Sequence, residues 1–149
     1  MSGSLDHSPA YIVRDLLVGE AMITKPSSNS TWPGYVSGFP RNSTTDNIVV
    51  INNTTAKTDG RVHTDGEQQE HEGIQIIVRG DTYSTGYTKA NALKTKIDTG
   101  ILRSSVTIGD ATYLIQSISR VGGIIELDEP NSTRKLFSLN ALMSVCQTV

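Results

Sequence analysis

His63 and His71, with Asp65, Glu67 and Glu70 around them, are the side chains of this 149-residue sequence whose types could hold a divalent metal ion. Their spacing argues against it. No His-Glu-x-x-His run occurs, and the stretch from Asp59 to Gly66 lacks the ligand positions of a calcium loop. Arg79, Gly80 and Asp81 close an apolar run and open a helical one, and backbone amides at such a helix start can hold an anion. Here the glycine-rich phosphate fingerprint is missing, and Asp81 would repel phosphate. Arg79 is instead expected to pair with Asp81 or Asp98, or to contact a neighbouring subunit. No Gly-x-Ser-x-Gly elbow presents a nucleophile, and Glu126, Asp128 and Glu129 sit beside Pro130 as an exposed turn would. No catalytic, cofactor-binding or metal-binding residue is assigned. The lone Cys146 cannot form an internal disulfide and is expected to be a buried, inert thiol.

The composition narrows the function classes further. With 13 basic and 15 acidic side chains the net charge is −2, so no electrostatic bid for nucleic acid or for a membrane surface is visible. A single domain of this size can bury roughly two-thirds of its unfolded surface and needs no metal or disulfide to fold. Abundant Ser, Thr, Asn and Gly favour strands and turns over a helical bundle. No apolar run approaches the roughly 20 residues that span a bilayer, and no basic-then-apolar leader opens the chain. A reducing, soluble compartment is the expectation.

The elements that would position any site are legible from periodicity. A first helix is expected from Ser8, with Pro9 in its first turn, burying Ile12, Val13, Leu16 and Leu17 while Arg14, Asp15 and Glu20 stay wet. A strand bearing Tyr35, Val36 and Phe39 ends at Pro40, and Asn47 to Asn52 forms a second. Ile74 to Val78 form a buried strand that turns at Gly80 into a helix capped by Asp81 or Thr82. Tyr83, Tyr87, Ala90, Leu93 or Lys94, and Ile97 make the stripe of that helix facing the sheet. Strands then follow over 105–108 and 111–120, with a hairpin turn at Gly109 and Asp110, and another turn at Gly122 and Gly123 before 124–128. A last strand runs from about Arg134 to Cys146. Hairpins dominate, so the fold class is α+β: a mainly antiparallel sheet of four to five strands with two helices packed on one face, in one domain over 1–149.

A polar stretch at about 54–73 reads as a long loop. Lys57 and Arg61 stand against Asp59, Asp65, Glu67, Glu70 and Glu72, two basic against five acidic residues, for a net charge of −3. Long structureless loops in compact domains are usually functional or disordered, which makes this the first candidate for a partner or channel contact.

Several segments resemble, in order, those of phage tail terminators, the minor capsid or tail completion proteins of the head-to-tail interface. A helix with Leu16 and Leu17 leads to Gly19. Trp32, Pro33, Gly34, Tyr35 and Val36 then precede Gly38, Phe39 and Pro40. Asp46 and Asn47 open the apolar strand that trails to Thr54. Gly73, Ile74, Gln75 and Ile76 with Val78, Arg79 and Gly80, followed by Tyr83 and Tyr87, are the strongest part. The similarity runs from the first helix through Asp98 and more loosely along the C-terminal strands. Gly86 departs from it, standing where such helices prefer Ala at a cost of about 1 kcal/mol.

The resemblance implies a ring-forming, typically sixfold subunit that caps the tail tube, ends its polymerisation and offers a surface to the head connector. It implies as partners other copies of the chain, the tail tube protein and a head completion or connector protein. DNA would pass through the channel without specific binding, and no membrane or cofactor would be involved. The place implied is the virion head-tail junction, after assembly in the host cytoplasm. Another connector or tube component is the alternative within phage structure. A non-enzymatic α+β binding module comes next, and an enzyme last.

Overall fold

The computed structural model describes residues 5–27, 31–39, 46–61, 68–101, 104–127 and 134–148. Helix α1 spans Pro9–Gly19 and α2 spans Tyr83–Thr95, continued by a π-helical turn over Lys96–Gly100. The strands are β1 (Gly34–Val36), β2 (Ile48–Arg61), β3 (Gln68–Gly80), β4 (Ser104–Ile108), β5 (Ala111–Leu127) and β6 (Lys135–Thr148). They form one six-stranded sheet in the order β1-β2-β3-β6-β5-β4. That is more strands than the four to five expected, and the sheet is mixed: β1 runs parallel to β2, while every other pairing is antiparallel. Because it runs parallel to β2, β1 is no hairpin partner. The chain leaves β1 through Ser37 and Gly38, both at positive φ.

Local chemistry sets the helices. Ser8 caps α1 by accepting the Tyr11 amide at 3.3 Å, with Pro9 in the first turn, and Asn53 accepts the free Ala10 amide at 2.9 Å. Ile12, Val13, Leu16 and Leu17 are buried as their spacing requires. Arg14 and Asp15 are less wet than expected. They form a 3.0 Å ion pair with both side chains only 13% exposed, and the Arg14 guanidinium lies 4.5 Å from the Tyr11 ring centroid. Thr82, not Asp81, caps α2 by accepting the Thr85 amide.

Both helices feed one core with one face of the sheet. That face carries Val49 and Ile51 on β2, Ile74, Ile76 and Val78 on β3, and Phe137, Leu139, Ala141 and Met143 on β6. Gly86, Ala90 and Leu93 are the buried positions of α2, whereas Tyr83 and Tyr87 stay half exposed at its border. Gly86 has a physical reason to be there. A Cβ on it would stand 2.9 Å from the Phe137 ring, and a Cβ on Gly80 would stand 2.5 Å from the Gly86 nitrogen. The helix start lies backbone-to-backbone on the end of β3.

The expected turn at Gly122 and Gly123 is not a turn. β5 continues through both glycines along β6, with a shift of register between Val121 and Ile125 and Gly122 at φ +76°. The pair makes a β-bulge, which also needs a residue tolerant of positive φ. Gly109 and Asp110 do form the hairpin turn, joining Ile108 to its partner Ala111.

Candidate assembly surfaces

The first candidate surface is the end of the β2–β3 hairpin. The polar stretch expected as a loop is largely paired strand: Lys57 opposes His71, Thr58 opposes Glu70, and Arg61 opposes Gln68. Register shifts between Thr54 and Lys57 and between Thr58 and Gly60 bend the ribbon. Its hydrogen bonds run between backbones, so they survive without the apolar alternation that betrays a half-buried strand. Lys57, Asp59, Arg61 and Glu70 therefore sit on strands, and Glu72 lies opposite Met143. Asp65 and Glu67 lie outside the described residues, as does His63. β3 stays alongside β6 from Gly80 to Glu72, and beyond that pair its described ladder is with β2 alone. The hairpin leaves the body of the sheet as a two-stranded arm.

Arg79, the other candidate, ends the described part of this surface at the opposite end of β3. It is 7% exposed. Its Nε donates to the Asp46 carbonyl at 3.2 Å, and its guanidinium lies 5.1 Å from the Phe39 ring centroid. Asp46 also takes Arg134 at 2.8 Å. The Asp98 carboxylate anticipated as a partner for Arg79 faces Arg120 instead. Sequence reasoning missed Phe39 as the cover of Arg79, because nothing local links two positions so far apart in the chain.

A third feature joins the π-helical turn to the β5 bulge. Arg120 holds Asp98 through Nε at 3.1 Å and Nη2 at 3.2 Å, and its Nη1 donates to the Gly122 carbonyl. The hydrogen bond from Arg120 keeps the Asp98 carboxyl below its ordinary pKa of 3.8. A depressed carboxylate stabilises the fold above its unfolded-state pKa and loses that contribution as pH falls through its folded value. Asp98→Asn is therefore expected to flatten the loss of melting temperature below about pH 4, measured across a pH series against the unsubstituted protein. An unchanged acid profile would show that the pair adds nothing to stability.

The surface of α2 is shaped rather than charged. Tyr83 and Tyr87 stack at 6.1 Å with planes 5° apart, and both meet Phe137 edge-on. Beside them lies a cavity of about 390 Å³ lined by Trp32, Ser84, Thr85, Thr88, Lys89 and Ala92. The Lys89 ammonium donates to the Met22 carbonyl over the Trp32 ring, and burial lowers its pKa. Cys146 is half-buried, less enclosed than expected, with Gln116 beside its sulfur.

The outer strands are short, which limits uncontrolled edge pairing. β1 has three residues, flanked by a parallel bridge between Thr24 and Pro33, and β4 has five. Among the described residues no group of three or more His, Cys, Asp or Glu is placed to hold a metal ion, and no helix is long and apolar enough to cross a membrane.

Residues 18–145 match a family model described as bacteriophage tail terminator protein. The match takes in α2, strands β1 to β5 whole and β6 as far as Val145, and starts near the end of α1. No curated protein matches the chain.

Proposed function

We infer the role of this chain from the family it belongs to, that of the bacteriophage tail terminators, which makes it a structural component of the phage tail. Copies of the chain assemble into a ring, sixfold in this reading, that seats on the finished tail tube. The ring stops the tube from growing and presents its other side to a head completion or connector protein. The observation that carries this reading is the extent of the family match, which spans nearly the whole sheet. Ring closure asks for head-to-tail contacts, in which two different patches of one subunit meet successive neighbours. A six-stranded sheet with an exposed helix on one face and a projecting arm offers such patches.

The test is the mass of the purified chain by light scattering, alone and after mixing with tail tube protein, followed by imaging. A closed ring, or a single chain that forms rings only at tube ends, supports the reading. A single chain that ignores tubes, or one that builds unlimited tubes itself, overturns it.

The acidic arm lines the channel in this scheme, where negative charge keeps passing DNA phosphates from sticking. Neutralising Asp59, Asp65, Glu67, Glu70 and Glu72 together is expected to slow or stall DNA ejection from assembled particles. Ejection at the original rate would remove the arm from the channel while leaving the ring untouched.

A further inference from the structure

His7 and Tyr113 are 106 residues apart in the chain and meet at one hydroxyl group. Tyr113, on β5, is 0% exposed and belongs to the core. Its oxygen accepts the His7 backbone N–H at 3.0 Å and lies 2.6 Å from His7 Nδ1. Among the described residues no third group bonds this oxygen. A buried hydroxyl needs a partner for its hydrogen as well as for its lone pairs. One arrangement meets both needs: Tyr113 donates its hydrogen to Nδ1, and the neutral His7 ring carries its proton on Nε2.

The same contact fastens the segment ahead of α1. Leu5 packs on the core, and Asp6 and Gln147 of β6 exchange two hydrogen bonds, at 3.0 and 2.6 Å. Ser8, next to His7, caps α1. The His7 ring lies 5.6 Å from the Tyr11 ring and meets Tyr113 edge-on. His7 therefore stands where the start of α1 meets β5.

Protonation takes the acceptor away. Imidazole changes charge between pH 5 and 8, and an imidazolium donates from both nitrogens. The His7 amide and Nδ1 would then both donate to Tyr113, whose own hydrogen is left in the core without a partner. The ionisable groups around the ring do not relieve this. The Asp6 carboxylate is engaged by Gln147, Arg14 lies over the Tyr11 ring and pairs with Asp15, and β5 and β6 bring Tyr113 and Gln147, which are uncharged at neutral pH.

We propose that His7 is a proton-operated latch: neutral, it holds the segment from Leu5 to Ser8 on Tyr113, and protonated, it releases that segment together with the capped first turn of α1. The latch does not depend on the ring reading.

The test is amide hydrogen exchange from Leu5 to Ile12 at about pH 7.5 and about pH 5.5, corrected for the intrinsic effect of pH on exchange. Protection there is expected to fall on the order of tenfold at the lower pH, while β3 and β6 keep theirs. His7→Asn places an amide oxygen near the position of Nδ1 and gains no proton, so it is expected to hold the segment at both pH values. His71→Asn, changed on the arm, is expected to keep the fall. As a measurement free of any folding loss in the variants, nitrogen NMR of the unsubstituted protein is expected to find the neutral His7 ring protonated on Nε2. Equal protection at the two pH values, a fall that persists in His7→Asn, a fall abolished by His71→Asn, or a neutral ring protonated on Nδ1 would overturn the latch.

Discussion

Gly80→Ala is expected to cost about 3 kcal/mol and to lower the melting temperature by ~2–4 °C for each of them. The added methyl group would stand 2.5 Å from the Gly86 nitrogen and 2.6 Å from its Cα. Those are backbone atoms of a capped helix, so relief requires moving α2 off the sheet. Gly86→Ala is the informative contrast. Its methyl group meets the Phe137 ring at 2.9 Å, a side chain that can tilt, and the helix gains about 1 kcal/mol of propensity. The two effects oppose each other, and the net change is expected to stay within ~1 kcal/mol of zero. Thermal unfolding of the pair of variants distinguishes them. Equal stability of Gly80→Ala and the original protein would show that α2 does not sit on β3 in this way.

Phe137→Ala is expected to remove about 3–5 kcal/mol, the usual cost of emptying an aromatic site in a closed core. Phe137 is 1% exposed and stands at the centre of the sheet, opposite Val78 on one side and Glu126 on the other. It also supports the tyrosine ridge, with ring centroids 5.5 Å from Tyr83 and 5.9 Å from Tyr87. Removing it is therefore expected to weaken the near-ultraviolet circular dichroism of the stacked tyrosines as well as the fold. Phe137→Leu keeps most of the volume and is expected to cost about 1.5 kcal/mol. Urea unfolding of both variants checks the ranking, and a Leu variant as unstable as the Ala variant would contradict it.

Features that leave marks in residue type were readable from the sequence. Ser8 and Pro9 announce the start of α1 and the stripe from Ile12 to Leu17 announces its buried face, because capping and burial both select side chains. The Gly109 and Asp110 turn was legible for the same reason. Gly122 and Gly123 were not, since a hairpin and a bulge both call for positive φ at one residue. What decides between them is whether β6, later in the chain, runs past both halves of β5. The β2–β3 arm was hidden because backbone pairing between strands of polar sequence imposes no hydropathy pattern. Tyr83 and Tyr87 have the right period for the core, yet the close seat of Gly86 on Phe137 leaves them splayed over its edge. The fate of Arg79 depended on Phe39 and Asp46, neither within a helical turn or a strand step of it. As for function, the order of weak segments carried it, since no catalytic constellation was there to be read.

The place of β6 has a consequence for how the chain is born. It is the last strand in sequence and enters the middle of the sheet, between β3 and β5. While the ribosome is still adding residues before Lys135, β3 and β5 each face a gap, with open ladders and the whole Phe137 to Met143 core row missing. Such edges invite pairing with other nascent chains. Closing the gap brings together segments far apart in sequence, which places folding in the slower range of ~milliseconds to seconds. A chain cut short before the 14 residues of β6 is expected to leave two unfinished half-sheets, β1-β2-β3 and β5-β4, with no strand to join them.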